Sequence, residues 1–428
     1  MPPRVSLHSF LATAKSTLHS ASAVQQSPVT FIVGNESADL DSICSALILA
    51  YLRTYAPFPS SKPLQPGVYI PLCNLWTSDL ALRPELNPVL QQADLKPSDL
   101  ITLSDISFQT SSSHKATPPF HPENTRWLLV DHNSLQSELG KLYSSRVVGC
   151  IDHHDDEKTI STLNVEEMHI IRPCGSCSSL IVEHCQDTWQ KLSSSASQQE
   201  QQDSQLWDSQ LARVALAPIL IDTANLTSKD KTTPTDVAAA SFLRNIITSA
   251  GDSDSSFSSD EYFQAISASK EDIEGLPLLD ILRKDYKQWS EATSKSESNS
   301  GRLEIGISSA VKDIQFMIDK EGGKDKFFNV VEEFAKQRKL SVAGIMTTSH
   351  NDGQFKRELF LWGFDKKGRE TAARFEREGR EKFGLKTWQD GELDLTDGNC
   401  WRKCWVQQAV EYSRKKVAPT LRGAVAKI

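Results

Sequence analysis

The chain has 428 residues, 39% hydrophobic and 24% charged, with a formal net charge of −8. That length points to two or three domains. The acidic balance argues against a general nucleic-acid binder, and no apolar run approaches the roughly 20 residues of a membrane-spanning helix.

The first thirty-five residues hold no acid and carry Arg4 and Lys15. Phe10, Leu11 and Leu18, with Ala12, Ala14 and Lys15 around them, read as an amphipathic helix packed on the domain rather than as a mitochondrial presequence. No secretory leader is read there. The expected location is the cytoplasm, with the mitochondrial matrix as the alternative. Val29 to Val33 is a β-branched and aromatic run ending at Gly34, a strand entering a loop. Ile43 to Leu52 reads as a helix, with Asp41 or Ser42 available as its cap.

Two further short apolar runs, Trp127 to Val130 and Val147 to Ile151, close on Asp131-His132 and on Asp152-His153-His154. His169 to Ile171 is a weaker strand leading into a helix from Ser178 to His184. Between them lies Cys174-Gly175-Ser176-Cys177. A lone CxxC lacks the second well-spaced pair of a zinc knuckle, so a tight turn into the helix is the better reading. The eight cysteines sit mostly in apolar stretches, as reduced, buried thiols do. Gln186 to Gln210, rich in Ser and Gln, reads as a surface insertion. Leu206 to Ile221 reads as a buried helix bent at Pro218, delivering Asp222 at its end.

Ser249 to Asp260 and Ser290 to Gly301 read as polar loops bracketing a helical segment from Glu261 to Trp289. The expected domain boundary falls there, giving units of 1–275 and 276–428. Beyond it, Leu303 to Ile307, Leu340 to Met346 and Phe355 to Phe364 read as strands and Phe327 to Gln337 as a helix. The fold class is therefore α/β: a mainly parallel N-terminal sheet flanked by helices, then a smaller α/β unit. In such open sheets ligands sit at the carboxyl ends of strands. From Trp401 to Ile428 there are seven basic residues against one acid, either a solvated tail or a surface that holds an anion.

The acids and histidines at the strand ends can gather two divalent cations. Asp39 and Asp41, two apart, can approach one site while Leu40 faces the core; the competing role is a helix cap. Asp131 follows Leu128-Leu129-Val130, and its two oxygens can bridge two ions. Neighbouring His153 and His154 point apart, so one can ligate while the other meets substrate, with Asp152 placed to fix a tautomer. Asp222 completes the set, although it could instead pair with Lys229 or Lys231. Asp155, Asp156 and Glu157 are assigned to solvent. Oxygen and imidazole donors suit Mn²⁺, Mg²⁺ or Co²⁺. Two such ions would activate water and neutralise a phosphoryl oxygen.

Gly34-Asn35-x-x-x-Asp39-x-Asp41-Ser42, Asp131, Asp152-His153-His154 and Asp222-Thr223 together resemble the four ordered motifs of the DHH phosphoesterase superfamily. Ser413-Arg414-Lys415-Lys416 resembles the basic signature of its second type of DHH-associated C-terminal domain, shared by manganese-dependent family II inorganic pyrophosphatases and eukaryotic exopolyphosphatases. Asn35, where family II pyrophosphatases usually have a metal-binding His, and Leu282-Arg283-Lys284-Asp285-Tyr286-Lys287 are similar to the fungal, yeast-type cytosolic exopolyphosphatases. The resemblance implies an active site in the cleft between the two domains. It implies a first metal on Asp39 and Asp131 with Asn35 nearby, and a second on Asp41, Asp131, His153 and Asp222. His154 would contact the terminal phosphate or leaving oxygen. Arg414 and Lys415, with Lys287 as an additional clamp, would grip substrate phosphates. The implied activity is removal of terminal orthophosphate from linear polyphosphate by a monomer that uses Mn²⁺ or Mg²⁺ and needs no nucleic acid or membrane. The alternatives are a pyrophosphatase or a prune-like short-chain phosphohydrolase.

Overall fold

The computed structural model describes residues 3–23, 28–56, 67–106, 120–160, 167–195, 201–249, 257–293, 302–351, 354–398 and 400–427. The chain divides into two compact units, Met1–Lys270 and Glu271–Ile428. Among the described residues no helix is long and apolar enough to cross a membrane.

The first unit is built on five parallel strands: β1 (Val29–Val33), β2 (Tyr69–Leu72), β3 (Thr125–Val130), β4 (Val147–Asp152) and β5 (His169–Ile171). Their order is β2-β1-β3-β4-β5, with Val33 beside Leu72 on one side and Leu129 on the other. Its helices are α1 (Leu7–Ala23), α2 (Leu40–Tyr55), α3 (Leu86–Gln92), α4 (Ser137–Tyr143), α5 (Cys177–Ser194), α6 (Gln201–Asp222), α7 (Pro234–Ser249) and α8 (Ser259–Glu271). They leave β1, β3 and β4 nearly solvent-free, which is why these strands read as unbroken apolar runs. After β1 the chain moves out to β2, then returns to the other side of β1 as β3. That reversal makes a switch point at the carboxyl ends of β1 and β3, where open α/β sheets hold ligands. Gly34–Asp41 and Asp131 both emerge there.

Three helices differ from expectation. α2 starts at Leu40, and its cap is Asp39, whose Oδ1 accepts a bond from the Ser42 N–H at 3.1 Å. α5 and α6 extend through Gln186 to Ser194 and Gln201 to Gln210, where a surface insertion was expected. Trp189 explains part of this: its indole N–H donates to Asp208 Oδ1 at 2.6 Å, so the two helices pair across the supposed insertion. The expected Ser249–Asp260 loop lies mostly outside the described residues, as does Ser290–Gly301.

The second unit runs α9 (Leu278–Lys284), β6 (Tyr286–Ala292), β7 (Arg302–Ala310), α10 (Ile314–Glu321), α11 (Lys324–Arg338), β8 (Val342–Thr347), β9 (Ser349–Asn351), β10 (Gln354–Gly363), α12 (Lys366–Gly379), β11 (Leu385–Thr387), β12 (Leu395–Thr396), β13 (Trp401–Gln407) and α13 (Arg414–Val425). Its sheet has the order β11-β13-β10-β8-β7-β6 and is mixed: β7 and β8 are parallel, the other pairs antiparallel. Each face carries its own apolar cluster, one around Phe327 and Phe360, the other around Phe375, Trp405 and Leu421. With both faces covered, β10 is buried almost continuously from Leu359 to Gly363 instead of alternating. Lys287, expected on a helix, lies on β6 opposite Ile307.

Candidate metal centre

Asp131 is the pivot. It follows the last residue of β3 and takes a left-handed backbone (φ 60°), a conformation Asp and Asn accept more readily than most residues. Its amide donates to the Ile151 carbonyl at 3.1 Å, which ties the bend to β4. The carboxylate is buried. Its Oδ2 accepts bonds from the Asn35 side-chain amide and the Ser42 hydroxyl, both at 2.7 Å. The other oxygen, Oδ1, lies 3.1 Å from His153 Nε2.

The His153 ring is locked. Its Nδ1 sits 2.9 Å from the Cys174 carbonyl oxygen, which only accepts, so Nδ1 carries the proton and Nε2 presents its lone pair. A lone pair and a carboxylate oxygen then face each other at 3.1 Å. Two acceptors so placed need a cation between them or a proton on the ring, and a divalent ion could fill the first role. His154 is oriented the same way: Nδ1 lies 2.8 Å from Asp152 Oδ1 and 3.7 Å from Asp131 Oδ1. Asp131, His153 and His154 form a cluster whose donor atoms lie within 4.8 Å of one another. Burial works to raise the Asp152 carboxyl, but the His154 hydrogen bond and charge and the Asn133 amide outweigh it and hold it below the ordinary value.

Asp41 lies in the first turn of α2, with Oδ2 4.0 Å from His153 Nε2. The start of α5 holds it in place. The Cys177 amide donates to Oδ2 at 2.7 Å, and the Ser178 amide and Ser176 hydroxyl donate to Oδ1 at 3.0 and 2.9 Å. Asp222 ends α6 and is half-buried. Burial, then the charges of Asp131 and Asp222, push the Asp41 carboxyl well above its usual range. Burial and the Asp39 charge push Asp222 up to about 6. Carboxylates that raise one another in this way lack nearby positive charge, which a divalent cation could supply. Asp39 is exposed and joins through this field while its Oδ1 caps α2.

The remaining expected site residues are placed as follows. Asn35 turns its Nδ2 to Asp131, and its Oδ1 accepts the Ser37 amide at 2.8 Å. Asp155, Asp156 and Glu157 are exposed. In the second unit the Arg414 guanidinium binds Asp285 Oδ1 at 2.6 Å and the Asp285 carbonyl at 2.8 Å, while Lys415 is exposed at the start of α13. Sequence reasoning missed Ser42, Ser176 and Asn133, the polar groups that aim Asp131, Asp41 and Asp152. Their short side chains carry no spacing signal. Only the Ser directly after Asp41 hinted at a role.

Comparison with known proteins finds similarity over most of the chain. A protein of Schizosaccharomyces pombe provisionally named an exopolyphosphatase is 29% identical over 97% of this chain and 96% of its own. The Bos taurus protein named exopolyphosphatase PRUNE1 is 25% identical over 70% of this chain, and the matched region spans 56% of that relative's length. In three dimensions, a Methanococcus jannaschii protein provisionally named a family II inorganic pyrophosphatase superposes with a TM-score of 0.54 at 20% identity. That match covers 93% of this chain and 99% of that one, and it shows the shared fold. The model of the DHH family N-terminal domain matches residues 29–219, and that of the DHHA2 domain matches residues 264–424. With both domains present in order and Asp131, His153 and His154 gathered at one sheet end, the chain belongs to the DHH/DHHA2 family of metal-dependent phosphoesterases.

Proposed function

We propose that this protein is an exopolyphosphatase, releasing terminal orthophosphate from linear inorganic polyphosphate. The observation that carries the reading is the 3.1 Å approach of His153 Nε2 to Asp131 Oδ1 among carboxylates pushed toward protonation. The S. pombe and PRUNE1 relatives support polyphosphate as the substrate. Asp41, Asp131, His153 and Asp222 would hold one cation, and Asp39 with Asp131 the other, as Mn²⁺ or Mg²⁺ with Co²⁺ also accepted. Bound there, such ions lower the pKa of water and neutralise phosphoryl oxygens.

The chain's own groups do the rest. Asn35 and Ser42 keep Asp131 in one rotamer. Asp152 fixes His154 with Nδ1 protonated, leaving Nε2 to meet the terminal phosphate or the leaving oxygen. Arg414 and Lys415, with Lys287, bind substrate phosphates: Arg as a planar fork, Lys as a mobile charge. The water oxygen gives a proton to solvent and bonds to the terminal phosphorus as the bridging P–O bond breaks. The leaving chain, one unit shorter, takes up the negative charge. Such a loose transition state gains most from positioning and charge neutralisation.

The deciding experiment is a product time course on polyphosphate of defined length, run with Mn²⁺, with Mg²⁺ and with chelator, beside pyrophosphate. The expected result is metal-dependent loss of single units without early mid-length fragments. Faster release from pyrophosphate than from long chains would move the assignment to the short-chain alternative, and no metal-dependent release from either would end it.

A further inference from the structure

Residues 174–178 lead from the β5–α5 connection into the first turn of α5, and two of the proposed metal ligands depend on them. The Cys174 carbonyl fixes the His153 tautomer. The Ser176 hydroxyl and the amides of Cys177 and Ser178 fix both oxygens of Asp41. A loop that sets two ligands at once must itself be held, and one buried side chain takes four hydrogen bonds from residues 174–179.

That side chain is Asp236, in the first turn of α7 and fully buried. Its Oδ2 accepts the Gly175 amide at 3.0 Å, and its Oδ1 accepts the Ser176 amide at 3.3 Å, the Cys174 thiol at 3.2 Å and the Ser179 hydroxyl at 2.6 Å. Oδ2 also accepts the Thr233 amide and hydroxyl, both at 2.7 Å, which fixes the carboxylate to its own helix start. Burial acts to raise this carboxyl, but the hydroxyls of Ser179 and Thr233 outweigh it, so the group is held ionised. The loop also fits tightly against it. A Cβ at Gly175 would stand 2.7 Å from Asp236 Oδ2, 2.7 Å from the Thr223 methyl and 2.8 Å from the Lys231 carbonyl, so only glycine lets the backbone come this close.

We propose that Asp236 is a positioning residue for the metal centre, gripping residues 174–179 so that Cys174 and the amides of Cys177 and Ser178 hold His153 and Asp41 at ligating geometry. The inference rests on the metal-dependent reading above. It assigns Asp236 no contact with metal or substrate. Its signal in the sequence is the Thr233-x-x-Asp236 spacing, a helix-start pattern that by itself points only to a cap.

The test is Asp236→Asn in the full-length protein, which puts an NH₂ where only donors converge. Metal-stripped protein is titrated with Mn²⁺, and the visible absorption of the Co²⁺-loaded form is recorded. The expected result is Mn²⁺ affinity about 10–100-fold weaker, the usual cost of losing an outer-shell partner, with an altered Co²⁺ spectrum. A folded variant with wild-type Mn²⁺ affinity and an unchanged Co²⁺ spectrum, having lost only thermal stability, would make Asp236 a simple helix cap and overturn the proposal. If Asp236→Asn does not fold, Ser179→Ala removes one donor from Oδ1 and is expected to weaken Mn²⁺ binding severalfold; unchanged binding there is equally adverse. Failure of the unaltered protein to bind Mn²⁺ would overturn the metal reading together with this one, so the two failures are told apart.

Discussion

Asp131 divides its two oxygens between different tasks: Oδ2 is taken by Asn35 and Ser42, and Oδ1 is turned toward His153. Asp131→Asn places an amide donor against donors or against the His153 lone pair. It is expected to cut metal-dependent phosphate release by more than about 100-fold. Ser42→Ala removes only an orienting bond and should cost about 10–100-fold. Steady-state rates at fixed Mn²⁺ check both, and an equal effect of the two would show that Asp131 is not a ligand. Asp222 tests the opposite consequence of crowding. Its folded pKa is raised from 3.8 to about 6, so the folded chain binds a proton there that the unfolded chain has released. The stability this provides is complete below about pH 4 and is lost as pH rises through about 6. Asp222→Asn should therefore make metal-free protein relatively more stable at pH 7 than wild type, with the difference shrinking toward pH 4, while weakening Mn²⁺ binding. Calorimetric scans in chelator measure this. A neutral-pH loss of stability would mean that Asp222 sits in a favourable structural pair instead.

At the scale of elements, the site depends on how closely the end of β1 approaches α2. A Cβ on Gly34 would lie 2.5 Å from Ser42 Cβ and 2.9 Å from its Cα. Gly34→Ala must push the first turn of α2 away, carrying Ser42 and Asp41 with it. Overpacking of this kind costs about 1–3 kcal/mol, readable by urea unfolding, and Mn²⁺ affinity should fall in the same variant. Unchanged affinity would place the α2 start outside the site. Most of this arrangement was legible in the chain. β1 and β5 have the bounds their β-branched runs implied, and the acids and histidines after β1, β3 and β4 stood where a parallel sheet collects ligands. Other parts were not legible, for physical reasons. β2 is four residues long and contains Pro71, which suppresses a strand signal. β6 is an edge strand of mixed exposure, so Tyr286 to Ala292 lacks the alternation that marks a half-buried strand, and Lys287 was assigned to the preceding helix. The Asp39 cap was misassigned to Asp41 or Ser42, because cap choice depends on whether the chain turns at Leu40 or later. The bonds from Ser176, Cys177 and Ser178 to Asp41 join positions more than 130 residues apart, and no local pattern encodes them.

At the scale of the whole molecule, the proposed reading divides the work between the two units. The acids and imidazoles of the first answer to metal. The Lys and Arg groups of the second, all of them remote in sequence from those ligands, answer to phosphate. In that reading Arg414 would offer phosphate the part of its guanidinium that Asp285 does not take: Asp285 holds it through a side-chain bond at 2.6 Å and a carbonyl bond at 2.8 Å, which fixes the plane of the fork, while Lys415 extends from the start of α13. Changes in the two units should therefore separate in kinetics. Lys415→Ala and Arg414→Lys are expected to leave Mn²⁺ affinity unchanged and to lower kcat/KM for polyphosphate about 10–100-fold each, the worth of a charge-assisted bond of about 1.5–3 kcal/mol. Arg414→Lys should be no milder than Lys415→Ala, because a single ammonium cannot reproduce the two bonds to Asp285 and still offer a planar fork to phosphate. Raising ionic strength should weaken substrate binding less in these variants than in wild type, since fewer fixed charges remain to be screened. Mn²⁺ titrations alongside rates on a ladder of chain lengths, at low and high ionic strength, give all three readings on one set of proteins. If Lys415→Ala and Arg414→Lys leave kcat/KM unchanged at every chain length, the basic start of α13 is a solvated helix end, and the grip on polyphosphate must come from other cations of the chain.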